Sequence, residues 1–227
     1  MAVNKLIERL RGVGIRFDVE EKRALTPKPL PAADGRRPAW QTALNVTAFV
    51  GWAAVLGMLA STWPTVTFSD EGLSRAVLVL EAVCIFEVVQ IALGMARGNL
   101  ALGFFIHIVR ALTIFVVMPV IPASLTTKLV LLAYSLTECC RYPMYLAPDA
   151  KPIRMLRCLA PVVTFPLGAG AEAYAAYHGY STGLLGAHSA FIQTCVALVV
   201  PINFILGGML GYPMIIKKAL SALKGKA

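Results

Sequence analysis

Leu100-Ala-Leu-Gly-Phe-Phe-Ile-His107-Ile-Val-Arg110-Ala-Leu-Thr-Ile-Phe-Val-Val-Met-Pro-Val120 carries two ionisable side chains, His107 and Arg110, in an otherwise apolar run. About 20 apolar residues cross the hydrocarbon core of a bilayer. A lone segment there must satisfy its own backbone hydrogen bonds, so this stretch predicts a transmembrane helix. Five further runs of the same kind flank it, approximately Ala43–Trp63, Ser74–Met95, Lys128–Leu146, Met155–Tyr177 and Ser189–Gly211. The fold class expected is an all-α integral membrane protein, a six-transmembrane-helix bundle.

Composition agrees with this reading. Of 227 residues 58% are hydrophobic and only 15% charged, with a mean hydropathy of +0.71. A soluble domain of this length needs more charge to cover its surface, and collagen-like, disordered and disulfide-framework classes are excluded. Trp40 to Gly211 has room for six spans and no separate soluble catalytic domain. The five cysteines, Cys84, Cys139, Cys140, Cys158 and Cys195, all lie in apolar segments without CxxC spacing and read as small packing residues. No metal or cofactor is expected.

The net charge of +9 reads as topology. Basic residues gather in tails and short loops rather than on one folded face, which excludes a nucleic-acid partner. Residues 1–39 form a polar basic extension with nine Lys or Arg against five Asp or Glu, ending in Thr26-Pro-Lys-Pro-Leu-Pro31. It has no apolar core of a secretory signal. Leu6, Ile7, Leu10 and Ile15 outline a short amphipathic helix suited to a membrane surface or a partner. Residues 40–215 form the membrane domain and 216–227 a basic tail. With this extension, Arg97, Lys151, Arg154, Arg157, Lys217, Lys218, Lys224 and Lys226, one side of the membrane collects 17 of the 21 Lys and Arg. Both termini are therefore expected on that same side. No internal repeat suggests an inverted-repeat transporter.

Polar side chains inside spans cost free energy unless paired or turned to a cavity. The second span has Glu81, Glu87 and Gln90, the last two sharing a face with Gly94. The third has His107 and Arg110. Tyr134, Glu138, Arg141 and Tyr145 make one stripe on the fourth, where Glu138 and Arg141 can pair within the helix. Glu172 is the one ionisable group inside the fifth span. Acids and bases on four spans imply a shared polar interior, in which arginines 110 and 141 should meet Glu87, Glu138 or Glu172. Gly94-x-x-x-Gly98 and Gly207-x-x-x-Gly211 permit close helix approach.

These residues also fall in a recognisable pattern. Tyr134-Ser-Leu-Thr-Glu138-Cys-Cys-Arg141-Tyr142-Pro-Met-Tyr145 resembles the W-[ST]-x-x-E-[IV]-x-R-Y-x-[FY]-Y signature of the very-long-chain 3-hydroxyacyl-CoA dehydratases, the protein-tyrosine-phosphatase-like A family. Leu44-Asn45-Val46, Gly51-Trp52, Glu87, Gly94 and Arg110 match further positions, and Phe165-Pro166-x-Gly168-x-x-x-Glu172 resembles its YPxGxxxE. The resemblance runs through residues 40–215 and implies six helices around a buried acyl-chain tunnel in the endoplasmic reticulum.

It also implies a reaction, loss of water from 3-hydroxyacyl-CoA to give trans-2-enoyl-CoA, with a Tyr and a Glu sharing the proton transfers. The Glu is Glu172, but the Tyr position holds Phe165, which has no proton to exchange. Loss of such a group typically costs about 10²–10⁴-fold in rate, unless Tyr134, Tyr142 or Tyr174 substitutes. Tyr134 itself replaces the family Trp. Two functions follow. One is a catalytically inactive, lipid-binding structural subunit of a larger membrane complex, such as one of the mitochondrial inner membrane, with protein partners on residues 1–39 and the outer helix faces. The alternative is an active elongation-cycle dehydratase of the endoplasmic reticulum that binds acyl-CoA. Phe165 favours the first; intact Glu172, Arg141 and Glu138 favour the second. In either case Glu87, Gln90, Arg110, Tyr134, Glu138, Arg141 and Tyr142 form the supporting polar interior.

Overall fold

The computed structural model describes residues 38–96 and 99–224. The expected amphipathic helix near Leu6, the proline-rich stretch, Arg97, Gly98 and Lys226 lie outside the described residues. Six long helices follow one another: α1 Ala39–Thr62, α2 Glu71–Ala92, α3 Leu100–Val120, α4 Leu125–Leu146, α5 Lys151–Ser181 and α6 Ala190–Leu223. No strand occurs among the described residues. Two helices contain π-helical segments, Thr113–Val117 in α3 and Ile202–Gly211 in α6.

Local chemistry sets the helix ends. Asp70, Asn99, Ser124 and Ser189 each accept a hydrogen bond from the backbone N–H three residues on, at 2.8, 3.1, 3.1 and 3.4 Å. This is the capping that leaves fewer orphan donors at a helix start. Gly94 and Gly183 follow the last residues of α2 and α5 with φ of 74° and 75°, the left-handed turn that a glycine makes without steric cost.

α4 is the central helix, packed most extensively on α5 and α1. A larger core formed by Trp52, Leu59, Leu73, Cys84, Leu131 and Tyr142 joins α1, α2 and α4. A smaller one, with Val109, Val117, Ala175, Ala176, Val196 and Val199, joins α3, α5 and α6. Loops tie the far end: Phe68 N–H donates to the Pro122 carbonyl, and Lys128 Nζ to that of Pro64. All five cysteines are free and buried or partly buried.

Three helices, α1, α3 and α6, are long and apolar enough to cross a membrane. α2, α4 and α5 are comparably long at 22, 22 and 31 residues but carry most of the interior polar groups, which lowers their mean hydropathy. Outward positions are strongly apolar: Val163, Phe191 and Phe204 are 69%, 77% and 71% exposed. The sixth helix was expected to end near Gly211. It continues to Leu223, because Ile215, Ile216 and Ala219 face its neighbours while Lys217 and Lys218 stay exposed.

Candidate functional site

The interior polar groups of α2, α3 and α4 form a ladder of ion pairs and hydrogen bonds. His107 Nδ1 lies 2.7 Å from Glu81 Oε1, and Arg110 Nη2 lies 2.7 Å from Glu81 Oε2. Arg110 Nη1 donates to Glu138 Oε1 at 2.6 Å. Arg141 Nε is 2.8 Å from Glu138 Oε2, and Arg141 Nη2 is 3.1 Å from Glu87 Oε2. The Arg110–Glu81 and Arg141 Nε–Glu138 contacts are ion pairs by distance, with the N–H groups turned off the line to the oxygen. Arg141 also donates to the Tyr142 hydroxyl at 3.1 Å, which sits 3.4 Å from Cys84 Sγ. Glu81 and Glu138 are fully buried.

Aromatic faces flank the ladder. The Arg110 guanidinium lies 4.1 Å from the ring centre of Tyr134 and 5.6 Å from that of Trp52, in range for cation–π attraction. A buried charge left without its partner is strongly destabilising, and here α2, α3 and α4 each supply charge to the others.

A second group centres on Glu172 of α5. The Tyr134 hydroxyl donates to Glu172 Oε1, and Asn203 Nδ2 donates to Glu172 Oε2 at 2.9 Å. Asn203 projects from the π-helical segment of α6. Both carboxylate oxygens are thus engaged. Among the three tyrosines that could stand in for the missing phenol, only Tyr134 reaches Glu172 among the described contacts. Tyr142 is held by Arg141 and Cys84, and Tyr174 is 58% exposed and stacks on His178 at 6.3 Å between ring centres.

Phe165 lies two turns before Glu172 on α5. Its ring stacks on Tyr212 of α6 at 6.2 Å and 13°. Pro166 has no N–H, which frees the carbonyl of Val162, and the Tyr212 hydroxyl donates to that carbonyl at 3.0 Å. A Cβ on Gly207 would stand 3.1 Å from Phe165 Cζ, so the small residue allows α6 to close on the ring.

The expected members of the polar interior therefore fall into three places. Arg110, Glu138, Arg141 and Glu87 share the ladder with Tyr142 at its edge, and Tyr134 bridges it to Glu172. Gln90 is buried but accepts from Gln41 Nε2 at 3.1 Å on α1. Three residues outside the expected set complete the site. Glu81 holds Arg110 and His107, and Asn203 caps Glu172. The sequence signal for each was an isolated polar residue in an apolar helix; Glu81 also stands three residues from Cys84 and six from Glu87, one winding stripe on α2.

The side chains of these polar groups touch one another. Cavities of about 350 and 300 Å³ lie along α3, lined in part by Phe68, Ser74, Ile114 and Phe115 and by Ile108 and Val116, and neither reaches Glu172. Among the described residues no group of His, Cys, Asp and Glu is arranged to hold a metal ion.

The family model described as protein tyrosine phosphatase-like protein, PTPLA, matches residues 81–222. The chain belongs to this family. No curated protein and no solved structure matches it. The PTPLA match opens at Glu81, the first acid of the ladder, and contains every ionisable member of it as well as Phe165 and Glu172. The resemblance at Leu44-Asn45-Val46 and Gly51-Trp52 falls on α1, outside the match. PTPLA membership and the three long apolar helices make the chain a dehydratase-like integral membrane protein.

Proposed function

We propose that the chain is a catalytically inactive member of the dehydratase fold that crosses the membrane six times, with both termini on one side, and serves as a structural, lipid-binding subunit of a larger membrane complex. The observation that carries this reading is Phe165. The position at which the family places a proton-carrying phenol holds a ring stacked on Tyr212, and the Tyr212 hydroxyl is itself engaged by the Val162 carbonyl. Proton transfer needs a donor within hydrogen-bond reach of the reacting group. The doubly bonded Glu172 and the packed ladder support a brace rather than an acid–base site. The mitochondrial inner membrane suits such a subunit, with residues 1–39 and the outer helix faces meeting its partners.

One observation favours the alternative, a 3-hydroxyacyl-CoA dehydratase of the endoplasmic reticulum. Relative to the family pattern, this chain has gained a phenol at Tyr134 and lost one at Phe165, and the gained phenol donates to Glu172. A substrate displacing Asn203 would meet a Tyr–Glu pair in a new place.

Paired substitutions separate the two readings. With purified protein and 3-hydroxyacyl-CoA, the inactive reading expects no enoyl-CoA from the chain or from Tyr134→Phe. The alternative expects turnover by the chain that Tyr134→Phe and Glu172→Gln both abolish. Phe165→Tyr regains activity only if the surrounding pocket still admits substrate.

A further inference from the structure

Neither the ladder nor Glu172 uses the last two turns of α3. Pro119 stands there, with no N–H to give and a ring that would collide with the Phe115 carbonyl in a regular α-helix. The π-helical segment Thr113–Val117 precedes it, a widened turn that makes room for the ring, and in it Met118 N–H bonds the Thr113 carbonyl. The consequence falls on Ile114. Its carbonyl would take the N–H of residue 118 in an α-helix, or of residue 119 in a π-helix. The first is committed to Thr113 and the second does not exist in proline. The neighbouring Thr113 hydroxyl donates elsewhere, to the Val109 carbonyl at 2.9 Å. At membrane depth a freed carbonyl is costly until some other group supplies a donor.

Ile114 lines the cavity of about 350 Å³ between α2 and α3. Helix carbonyls point toward the C-terminal end, and the cavity extends that way, past Pro119 to Pro122 and the loop residue Ser69. Ser74 and Leu78 of α2 form the facing wall, one turn apart on one side of the helix. The polar groups gather at the loop end, where Ser69 is exposed and Ser74 Oγ makes only a 3.3 Å bond to the Glu71 carbonyl. Further along α2 and α3 the lining is Leu78, Ile114 and Phe115, and none of the lining residues is ionisable. Phe115 is 51% exposed and Pro119 is exposed, so the cavity opens sideways onto the apolar surface of α3. A ligand fitting both parts has one hydroxyl, no charge and a hydrocarbon body.

We infer that this cavity binds the hydroxyl end of an uncharged lipid alcohol of sterol type, which enters from the bilayer between α2 and α3. Its hydroxyl donates to the Ile114 carbonyl and accepts from Ser74, and its hydrocarbon lies against Leu78 and Phe115. Pockets of this size, mostly apolar with a few polar groups at one end, are the usual form of a small-molecule site. The inference deepens the lipid-binding part of the function proposed above and rests on that reading; it is independent of whether Glu172 catalyses.

The test is photo-labelling of the full chain in phosphatidylcholine vesicles with a photoreactive cholesterol analogue, the labelled peptides being mapped by mass spectrometry. Labels should fall on the segments of α2 and α3 that hold Leu78 and Phe115. Excess cholesterol should suppress them about fivefold more effectively than cholestane, the same skeleton without the hydroxyl, which is the weight of about one hydrogen bond. Pro119→Ala, which returns an N–H to the helix beside Ile114, should erase most of that preference. Leu78→Trp should fill the cavity and remove most of the label, while Leu198→Trp on the exposed face of α6 should change nothing. Circular dichroism shows that each variant is folded; if Leu78→Trp is not, the competition and Pro119→Ala decide. Equal competition by cholesterol and cholestane would overturn the proposal, because the carbonyl would then be served by water. Label spread evenly over the exposed helix faces, or a preference unchanged in folded Pro119→Ala, would overturn it as well. The dehydratase assay on the same preparations reports separately on the function proposed above.

Discussion

Arg110 is held by two carboxylates and lies within reach of two aromatic rings, so its removal strands Glu81 and Glu138 in the interior. Breaking a buried pair by deleting one partner costs about 3–5 kcal/mol. Arg110→Met should therefore lower the melting temperature of the detergent-solubilised protein sharply, and Arg110→Met combined with Glu138→Gln should lose less than the sum of the single changes. Additive losses would contradict the pairing. At this scale the sequence made part of the site legible. Opposite charges three apart marked Glu138 and Arg141, and both pair as expected. Glu87 and Gln90 also share that spacing, yet they serve different neighbours, Arg141 on α4 and Gln41 on α1. The face of α2 winds across three helices, and spacing along one helix cannot say which neighbour lies opposite. Asn203 escaped for a related reason, since a lone amide in an apolar run gives no periodicity to read.

α6 shows what an element adds to its residues. Its π-helical turns bring Asn203 to Glu172 and lay Gly207 against Phe165. Gly207→Leu should therefore overpack this contact, at a cost of about 1–3 kcal/mol, and Phe165→Ala should relieve much of it. A melting temperature unchanged in Gly207→Leu would show that α6 does not sit on the ring. The six apolar runs were legible because each interior helix repeats a hydrophobic stretch of membrane length. The far end of α6 was not. Lys217, Lys218 and Lys224 read as a tail, whereas the helix keeps Ala219 buried and lets the lysines stand outward. Tyr212 was equally hidden, because its role follows from a carbonyl freed by a proline on another helix.

For the whole molecule, six crossings with both termini on one side predict that single cysteines introduced at Asp149 and Lys224, in a background whose native cysteines are replaced, react with a membrane-impermeant thiol reagent from the same face. One at Gly183 should react from the opposite face. Labelling of Asp149 and Lys224 from opposite faces would refute the topology. A subunit role predicts in addition that mild detergent extracts the chain from its native membrane in a particle much larger than its 24.4 kDa.

Turnover tests most directly whether this dehydratase-like fold serves as a brace. Purified wild-type protein in lipid vesicles, supplied with a long-chain 3-hydroxyacyl-CoA and followed by mass spectrometry, should form no trans-2-enoyl-CoA above the protein-free control. Enoyl-CoA formed at an enzymatic rate and lost in Glu172→Gln would contradict the account.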